Sequence, residues 1–305
     1  MENNTNQIKS HFARLNQVTT ASKYFALALF IILPFLGGYV GYHHALSSMA
    51  VSSFVLNDQS ALPVKNSNLP VKDIVFEDTT DFYYIKTVYP SEPKDTAKVI
   101  EQYVKGLVAE KQEEWKMGGE AQRAEAALTI ELPDRPKVIY ALDVRYSSST
   151  HTKLNTVSYV LRISEMTGGA NGNVAITTFT FGNDGVVAID SILDFSNNKD
   201  IALSKLLADV AVIQNPEAFQ DVKQLKEGLG IAYLKSDGVT FDAEACGCDG
   251  FFFGSNFQNF SVTETGLTFT FSKFAIAAGA VMTPDISLTW AQLAPFLTKD
   301  FAKTL

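Results

Sequence analysis

The longest apolar run of the chain lies near its N-terminus. From Tyr24 to Tyr42 the sequence reads YFALALFIILPFLGGYVGY, nineteen residues without a charged side chain. At a rise of about 1.5 Å per residue, a helix of this length covers the ~30 Å hydrocarbon core of a bilayer. Pro34 does not exclude a helix, because proline is tolerated in membrane spans. The pattern therefore predicts a transmembrane helix over these residues, with a buried helix of a soluble domain as the alternative.

Basic residues flank this run on one side. Lys9, Arg14 and Lys23 precede it, and after it no Lys or Arg occurs before Lys65. Because basic residues near a span stay in the cytoplasm, the N-terminus is expected inside and the main domain outside. We expect a single-pass protein of the cell membrane, whose N-terminal helix contacts the lipid bilayer.

A cleaved signal peptide is the alternative to an uncleaved anchor. Signal peptides have a shorter apolar core, of ~7–15 residues, followed by small residues at the cleavage site. Ser48-Met49-Ala50 could serve as that site, but it lies several residues beyond the run. We therefore expect a signal anchor that is retained.

The pattern after the span divides into a tether and one large domain. Residues 43–70 are rich in Ser, Asn and Ala and have little helical periodicity, which is typical of a tether. With residues 1–23 in the cytoplasm and 24–42 as the anchor, residues 71–305 remain as the extracytoplasmic domain. That length is sufficient for a sizeable hydrophobic core.

Strand and helix patterns are segregated within this domain. Strands are predicted over 73–89, 137–146, 156–164, 178–181, 186–189 and 267–272, with a final one at 286–288. Helices are predicted from about Asp95, with an interruption at Gly118-Gly119, and over 200–213, 215–229 and 290–301. This pattern predicts an α+β fold with antiparallel sheet hairpins packed with several helices.

The net charge and the histidine content limit the partners and the metal sites that the chain is expected to have. The chain carries a net charge of −8, which disfavours nucleic acid as a partner. His43 and His44 lie at the predicted membrane surface, and beyond them only His151 remains, in a polar Ser/Thr stretch expected to be a solvated loop. No site with two histidine ligands can be built from it, and no nucleophile elbow occurs. We assign no catalytic residue, metal site or cofactor, although an all-carboxylate site remains an alternative.

Two short segments are chemically unusual. Cys246 and Cys248 are separated by one residue, and a local disulfide, a redox pair or half of a metal site are the alternatives, of which we favour the disulfide. Phe251, Phe252 and Phe253 form a dense aromatic segment. It either packs in the core as a bulky strand or forms an exposed recognition surface.

An ordered set of motifs resembles one bacterial extracytoplasmic family. The set comprises YYIKTVYP, the run TGGANGN from Thr167, FTFGNDGVVAIDSILDF and NFSVTETGLTFTFSKFAIAAGA, and it extends over about residues 71–301. The chain thereby resembles the domain-of-unknown-function 3298 family. That domain occurs in membrane anti-sigma factors that sense lysozyme and in some peptidoglycan deacetylases.

One of the motifs shared with the family is a glycine-rich connection between strands. Gly168 and Gly169 can adopt a positive φ or allow a close backbone approach, as a structural turn or as a ligand loop. The family usually carries a histidine where Asn171 lies, and a tyrosine where Phe274 lies. Gly168, Gly169 and Asn171 are therefore candidate ligand-binding residues, together with Phe251, Phe252 and Phe253.

Two classes of function remain. The favoured one is a membrane-anchored extracytoplasmic binding or sensor module without catalysis of its own, whose ligand is an envelope protein or glycan. The alternative is a peptidoglycan-modifying hydrolase of the cell envelope with a carboxylate site. Clustered Asp or Glu with raised pKa in a pocket would favour the hydrolase.

Overall fold

Two β-sheets organise the domain in a computed structural model, which describes residues 73–128, 140–167, 172–277 and 284–305. These residues belong to one compact unit. The predicted cytoplasmic segment, the anchor with Tyr24, Pro34 and Tyr42, and the tether lie outside them. In the part of the chain that the structure describes, no helix is both long enough and apolar enough to cross a membrane.

Strands from the two ends of the domain form separate sheets. The six-stranded sheet has sequential order and consists of β1 (Asp73–Thr79), β2 (Tyr83–Pro90), β3 (Tyr140–His151), β4 (Thr156–Met166), β5 (Asn173–Gly182) and β6 (Gly185–Val186). The three-stranded sheet consists of β7 (Phe260–Thr263), β8 (Gly266–Thr270) and β9 (Asp285–Thr289). The helices are α1 (Lys94–Leu128), α2 (Ile189–Ile192), α3 (Lys199–Gln214), α4 (Val222–Gly228), α5 (Ala243–Cys246), α6 (Trp290–Leu293) and α7 (Lys299–Ala302). The predicted α+β class is confirmed.

One strand pairing departs from the predicted antiparallel arrangement. β2 and β3 run parallel, with Ile85 opposite Leu142, whereas the other paired strands of the described ranges are antiparallel. Parallel neighbours need a long crossover, and α1 supplies it between β2 and β3. The sheet is therefore mixed, although mainly antiparallel.

Helix α1 covers one face of the six-stranded sheet. Ile100, Val104 and Trp115 are buried on the inner side of the helix, and the Trp115 ring stacks on Tyr140 with the centroids 5.5 Å apart. The expected interruption at Gly118-Gly119 is wrong, because α1 continues through both glycines. A Cβ on Gly119 would lie 2.1 Å from the ring of Phe82, so glycine is needed here for close packing.

The opposite face of this sheet carries the edge of the second sheet. Ser158 Oγ accepts the main-chain N–H of Val262 at 2.9 Å, and Thr178 Oγ1 accepts that of Phe260 at 3.0 Å. Ser149 Oγ donates to the Val262 carbonyl at 2.8 Å. Hydroxyl groups on β3, β4 and β5 thus satisfy the outer main-chain groups of β7, which would otherwise be buried without partners.

A second hydrophobic core lies between the three-stranded sheet and the helices that follow the first sheet. Its buried members include Leu203, Leu207, Phe219, Leu225, Phe257, Leu267, Phe269, Ile286 and Leu288. At the outer edge of β9, the Gln214 side chain accepts the Ser287 N–H at 2.9 Å and donates to the Ser287 carbonyl at 2.7 Å. The end of α3 therefore pairs with β9 much as another strand would.

Several predicted elements have different boundaries, and the strand predicted over 186–189 is reduced to the two residues of β6, since α2 begins at Ile189. The segment 73–89 is a hairpin and not one strand, because Thr80 Oγ1 accepts the N–H groups of Phe82 and Tyr83 and turns the chain. Helix α4 begins at Val222 and not near Asn215, because the Asp221 side chain caps it. The predicted closing helix is divided into α6, a 3₁₀ turn that contains Pro295, and α7.

Candidate functional site

The predicted aromatic segment belongs to a larger loop between α4 and β7. We call residues 230–254 the aromatic loop. The ring of Phe241 lies 6.2 Å from that of Phe251 and 6.3 Å from those of Phe253 and Tyr233, and Phe251 lies 5.0 Å from Phe253. Tyr233 and Phe241 were missed in the sequence, because isolated aromatics without periodicity give no signal of a shared cluster.

The three consecutive phenylalanines have different environments. Phe253 is buried, with 4% of its surface exposed, Phe251 is half-buried, and Phe252 is 67% exposed. They do not form the bulky strand considered above, since a 3₁₀ turn begins at Phe253. The Phe252 carbonyl accepts both the N–H and the hydroxyl of Ser255, at 2.9 Å and 2.7 Å. The main chain is therefore fixed at Phe252, whose ring lies over Gly254 with its other side exposed.

A disulfide joins Cys246 and Cys248 in the same loop. It follows α5, whose first turn is capped by the Asp242 side chain accepting the Ala245 N–H at 3.1 Å. Gly247 between the cysteines has a left-handed φ of 66°. In this oxidised form neither sulfur is a thiolate, the form that binds metals or attacks substrates.

A tight turn braces the other side of the aromatic loop. The Asp237 carboxylate accepts the N–H groups of Val239 and Thr240 at 2.9 Å and 2.8 Å, and the Thr240 hydroxyl at 2.5 Å. These donors stabilise the charged form and lower the pKa of Asp237 to about 2. Lys205 of α3 donates to the Gly238 carbonyl at 2.8 Å, which ties the turn to the second core.

The other candidate ligand residues, Gly168, Gly169 and Asn171, lie outside the described residues. Their described flank contacts the turn with Phe274, since Lys273 Nζ donates to the Gly172 carbonyl at 2.8 Å. Phe274 is exposed and has a φ of 69°, which is unusual for a bulky residue. Two segments singled out by the family resemblance thus adjoin each other.

His151 does not lie on the solvated loop expected from its polar neighbours. It is buried at the end of β3, with the Trp290 ring 5.9 Å away in an edge-to-face arrangement. Its Nδ1 accepts the Leu154 N–H at 3.2 Å, so the neutral ring carries its proton on Nε2. Ser149, one of the serines near it in sequence, instead donates to β7. The residue therefore packs against the chain end.

Two open depressions in the described surface contain carboxylate side chains. One, of about 400 Å³, is lined by Asp190, Leu193, Asp194, Phe195, Thr298 and Lys299. Lys199 and Ser196 donate to Asp194 and lower the pKa of its carboxyl group. The other, of about 580 Å³, lies where β2 and β3 separate, and its lining includes Asp73 and Tyr146. Within the described ranges, no group of three or more His, Cys, Asp or Glu residues could hold a metal ion.

Solved structures similar to this chain include two proteins of the DUF3298 family. A DUF3298 family member from Bacteroides fragilis has 17% sequence identity and a TM-score of 0.48, over 79% of this chain and 99% of its own. A DUF3298 family protein from Pseudomonas aeruginosa has 12% identity and a TM-score of 0.46, over 77% of this chain and 97% of its own. No family model and no curated protein sequence matches the chain. Both similar structures are DUF3298 family proteins, and the sequence motifs of this chain resemble the same family.

Proposed function

We propose that this chain is a membrane-anchored binding module of the cell envelope that binds an envelope protein or glycan without a chemical step. The anchor rests on the sequence alone, namely the uncharged run from Tyr24 to Tyr42 and the basic residues before it. The main domain then lies outside the cytoplasm. Binding is attributed to the aromatic loop.

The exposure of Phe252 carries the proposal. The residue is 67% exposed, although the rings on both sides of it in sequence pack into a cluster. The main chain at this position is held by Ser255, and the nearby Cys246–Cys248 disulfide fixes the turn at Gly247 in the same loop. An exposed aromatic side chain on a preorganised support contributes much binding energy, because little conformational entropy is lost on binding.

The hydrolase alternative has less support from the same structure. A general acid in a carboxylate site needs a raised pKa, whereas the pKa of Asp194 in its depression is lowered by Lys199 and Ser196. His151 is buried and accepts a main-chain N–H, so it is occupied in packing. These observations favour binding over turnover.

Binding is tested with the purified full chain and isolated envelope fractions. Cosedimentation with peptidoglycan and capture of envelope proteins are measured for the wild type, Phe252→Ala and Ile213→Ala. Ile213 is the matched control, because it is 78% exposed but lies on α3. Phe252→Ala is expected to lower specific binding about tenfold or more, as at an interface hot spot, while Ile213→Ala binds as the wild type does.

Two results contradict the proposal. Equal binding by Phe252→Ala and the wild type would remove the aromatic loop as the binding surface. Metal-dependent release of acetate or cleaved glycan, abolished by one Asp or Glu substitution, would show a hydrolase. The anchor is tested separately by the mass of the membrane-extracted protein, since a chain that starts near Val51 indicates a cleaved signal.

A further inference from the structure

The four edges of the two sheets in the described residues are protected unequally. The edge at β6 is only two residues long. The β7 edge is covered by hydroxyl groups of the first sheet, and the β9 edge is paired with the Gln214 side chain. Proteins usually protect edges in such ways, because an open edge is a template for another strand. The edge at β1 has none of these protections among the described residues.

The main-chain groups that β1 directs outward can be derived from its turn. Thr80 N–H donates to the Tyr83 carbonyl at 2.9 Å, which makes these two residues a hydrogen-bonded pair. In an antiparallel ladder the residues that bond inward and outward alternate. The N–H and C=O groups of Asp73, Val75 and Glu77 therefore face away from β2. In the described part of the chain, no hydrogen bond joins these groups to another residue.

The side chains at the same positions give the edge a chemical pattern. Val75 is 57% exposed, and it shares a face of the sheet with Asp73 and Glu77, because side chains alternate along a strand. Tyr146 Oη donates to Asp73 at 2.5 Å and Lys86 pairs with Glu77. Each carboxylate has further lone pairs that can accept a donor. The exposed row is therefore acidic, apolar and acidic.

We propose that the outer edge of β1 binds an extended segment of a second protein, which adds to the sheet as a seventh strand. Residues directly opposite each other in paired strands interact, so the segment carries a basic, an apolar and a basic side chain at alternate positions. Its main chain bonds to Asp73, Val75 and Glu77. This surface is separate from the aromatic loop, so the proposal does not depend on binding through Phe252.

The test uses the purified full chain and three labelled synthetic peptides, with binding measured by fluorescence anisotropy. In the first peptide, Lys, Val and Lys alternate with Thr. The second has the same sequence with N-methyl groups on the main-chain nitrogens that would bond to β1. The third has Glu in place of Lys. The first is expected to bind with a Kd of about 1 mM or tighter, and the other two about tenfold more weakly.

Two variants distinguish the contribution of the main chain at Val75 to binding from that of its side chain. Val75→Pro removes an outward N–H without breaking the β1–β2 ladder, because proline is tolerated where the N–H faces solvent at an edge. This variant is expected to bind the lysine peptide about tenfold more weakly than the wild type does. Val75→Thr keeps the N–H, and its affinity for the lysine peptide is expected to stay within about threefold of that of the wild type, since the main-chain bonds remain. Circular dichroism confirms that both variants fold.

Several results overturn the proposal. The proposal is wrong if the lysine peptide fails to bind the wild type, or if the N-methylated peptide binds as tightly as the lysine peptide. It is also wrong if Val75→Pro binds the lysine peptide as tightly as Val75→Thr does. Self-association of the wild type that Val75→Pro abolishes assigns the edge to a second copy of this chain instead.

Discussion

Ser158 Oγ lies 2.9 Å from the main-chain nitrogen of Val262, and this hydrogen bond joins the two sheets. Ser158 is fully buried, and its hydroxyl also lies 2.8 Å from Thr180 Oγ1. A buried N–H without a partner costs more free energy than the bond itself contributes. The contact between the sheets therefore depends on small hydroxyl side chains at particular positions.

Replacement of Ser158 by Ala is expected to destabilise the protein. The Val262 N–H then has no acceptor, which costs about 1–3 kcal/mol of the free energy of unfolding. Chemical denaturation of the full chain measures the loss, with Ser147→Ala as the control because Ser147 is exposed. Equal stability of the two variants contradicts the role of this hydrogen bond.

Two glycine substitutions are expected to have opposite effects. A Cβ on Gly228 would lie 2.2 Å from the Ala275 carbonyl oxygen, whereas a Cβ on Gly106 in α1 meets no atom within 4 Å. Gly106→Ala is expected to stabilise the protein by about 0.5–1 kcal/mol, because alanine is the better helix former. Gly228→Ala is expected to destabilise it by about 2 kcal/mol or more through main-chain displacement. Urea unfolding of both variants checks the signs, and a destabilising Gly106→Ala contradicts the open space at that position.

Substitution of the buried and of the exposed phenylalanine of the aromatic loop is expected to change the free energy of unfolding by different amounts. Phe253→Ala is expected to cost about 3–5 kcal/mol of the free energy of unfolding, because a buried ring is replaced by a cavity. Phe252→Ala is expected to change stability by less than about 0.5 kcal/mol, since its ring is exposed. Thermal unfolding of the two variants makes the comparison. A large loss in Phe252→Ala shows that the ring is packed and not available for binding.

The turn at Asp237 predicts a specific acid dependence. The folded pKa of Asp237 is lowered to about 2, so the folded state favours its ionised form. The stabilisation is complete above the unfolded pKa and is lost as the pH falls from about 4 to about 2. Carboxyl NMR titration of the full chain measures this pKa. In Asp237→Asn the same part of the acid dependence is absent, and an ordinary pKa for Asp237 contradicts the turn geometry.

The elements predicted most accurately have strong local patterns. The alternation before Asn183-Asp184-Gly185 identified the hairpin of β5 and β6, and the periodic apolar residues of 200–213 identified α3. The turn at Thr80 was missed because its hydroxyl supplies the turn without Gly or Pro. The continuity of α1 was missed for a different reason. Glycine usually weakens a helix, and only the tertiary contact with Phe82 explains Gly119.

The sequence predicts where the candidate site lies along the chain, but it does not predict which of its side chains are exposed. The three adjacent phenylalanines are conspicuous in the sequence, yet their division into Phe253 inside and Phe252 outside depends on a 3₁₀ turn. The partners Tyr233 and Phe241 come from elsewhere in the loop. His151 was misjudged because its polar neighbours suggested a loop, whereas Trp290 from the end of the chain covers it.

The parallel pairing of β2 and β3 has a consequence for the order of folding. The β1–β2 hairpin and α1 leave the ribosome before β3 exists, and β2 cannot complete its inner edge until the crossover has been made. By contrast, β3, β4 and β5 pair through short connections and can form as soon as they are synthesised. Local contacts form faster than distant ones, since less chain entropy is lost. The first strands to be made are therefore expected to be the last to join the sheet, and during that interval β2 is exposed to pairing with the wrong strand.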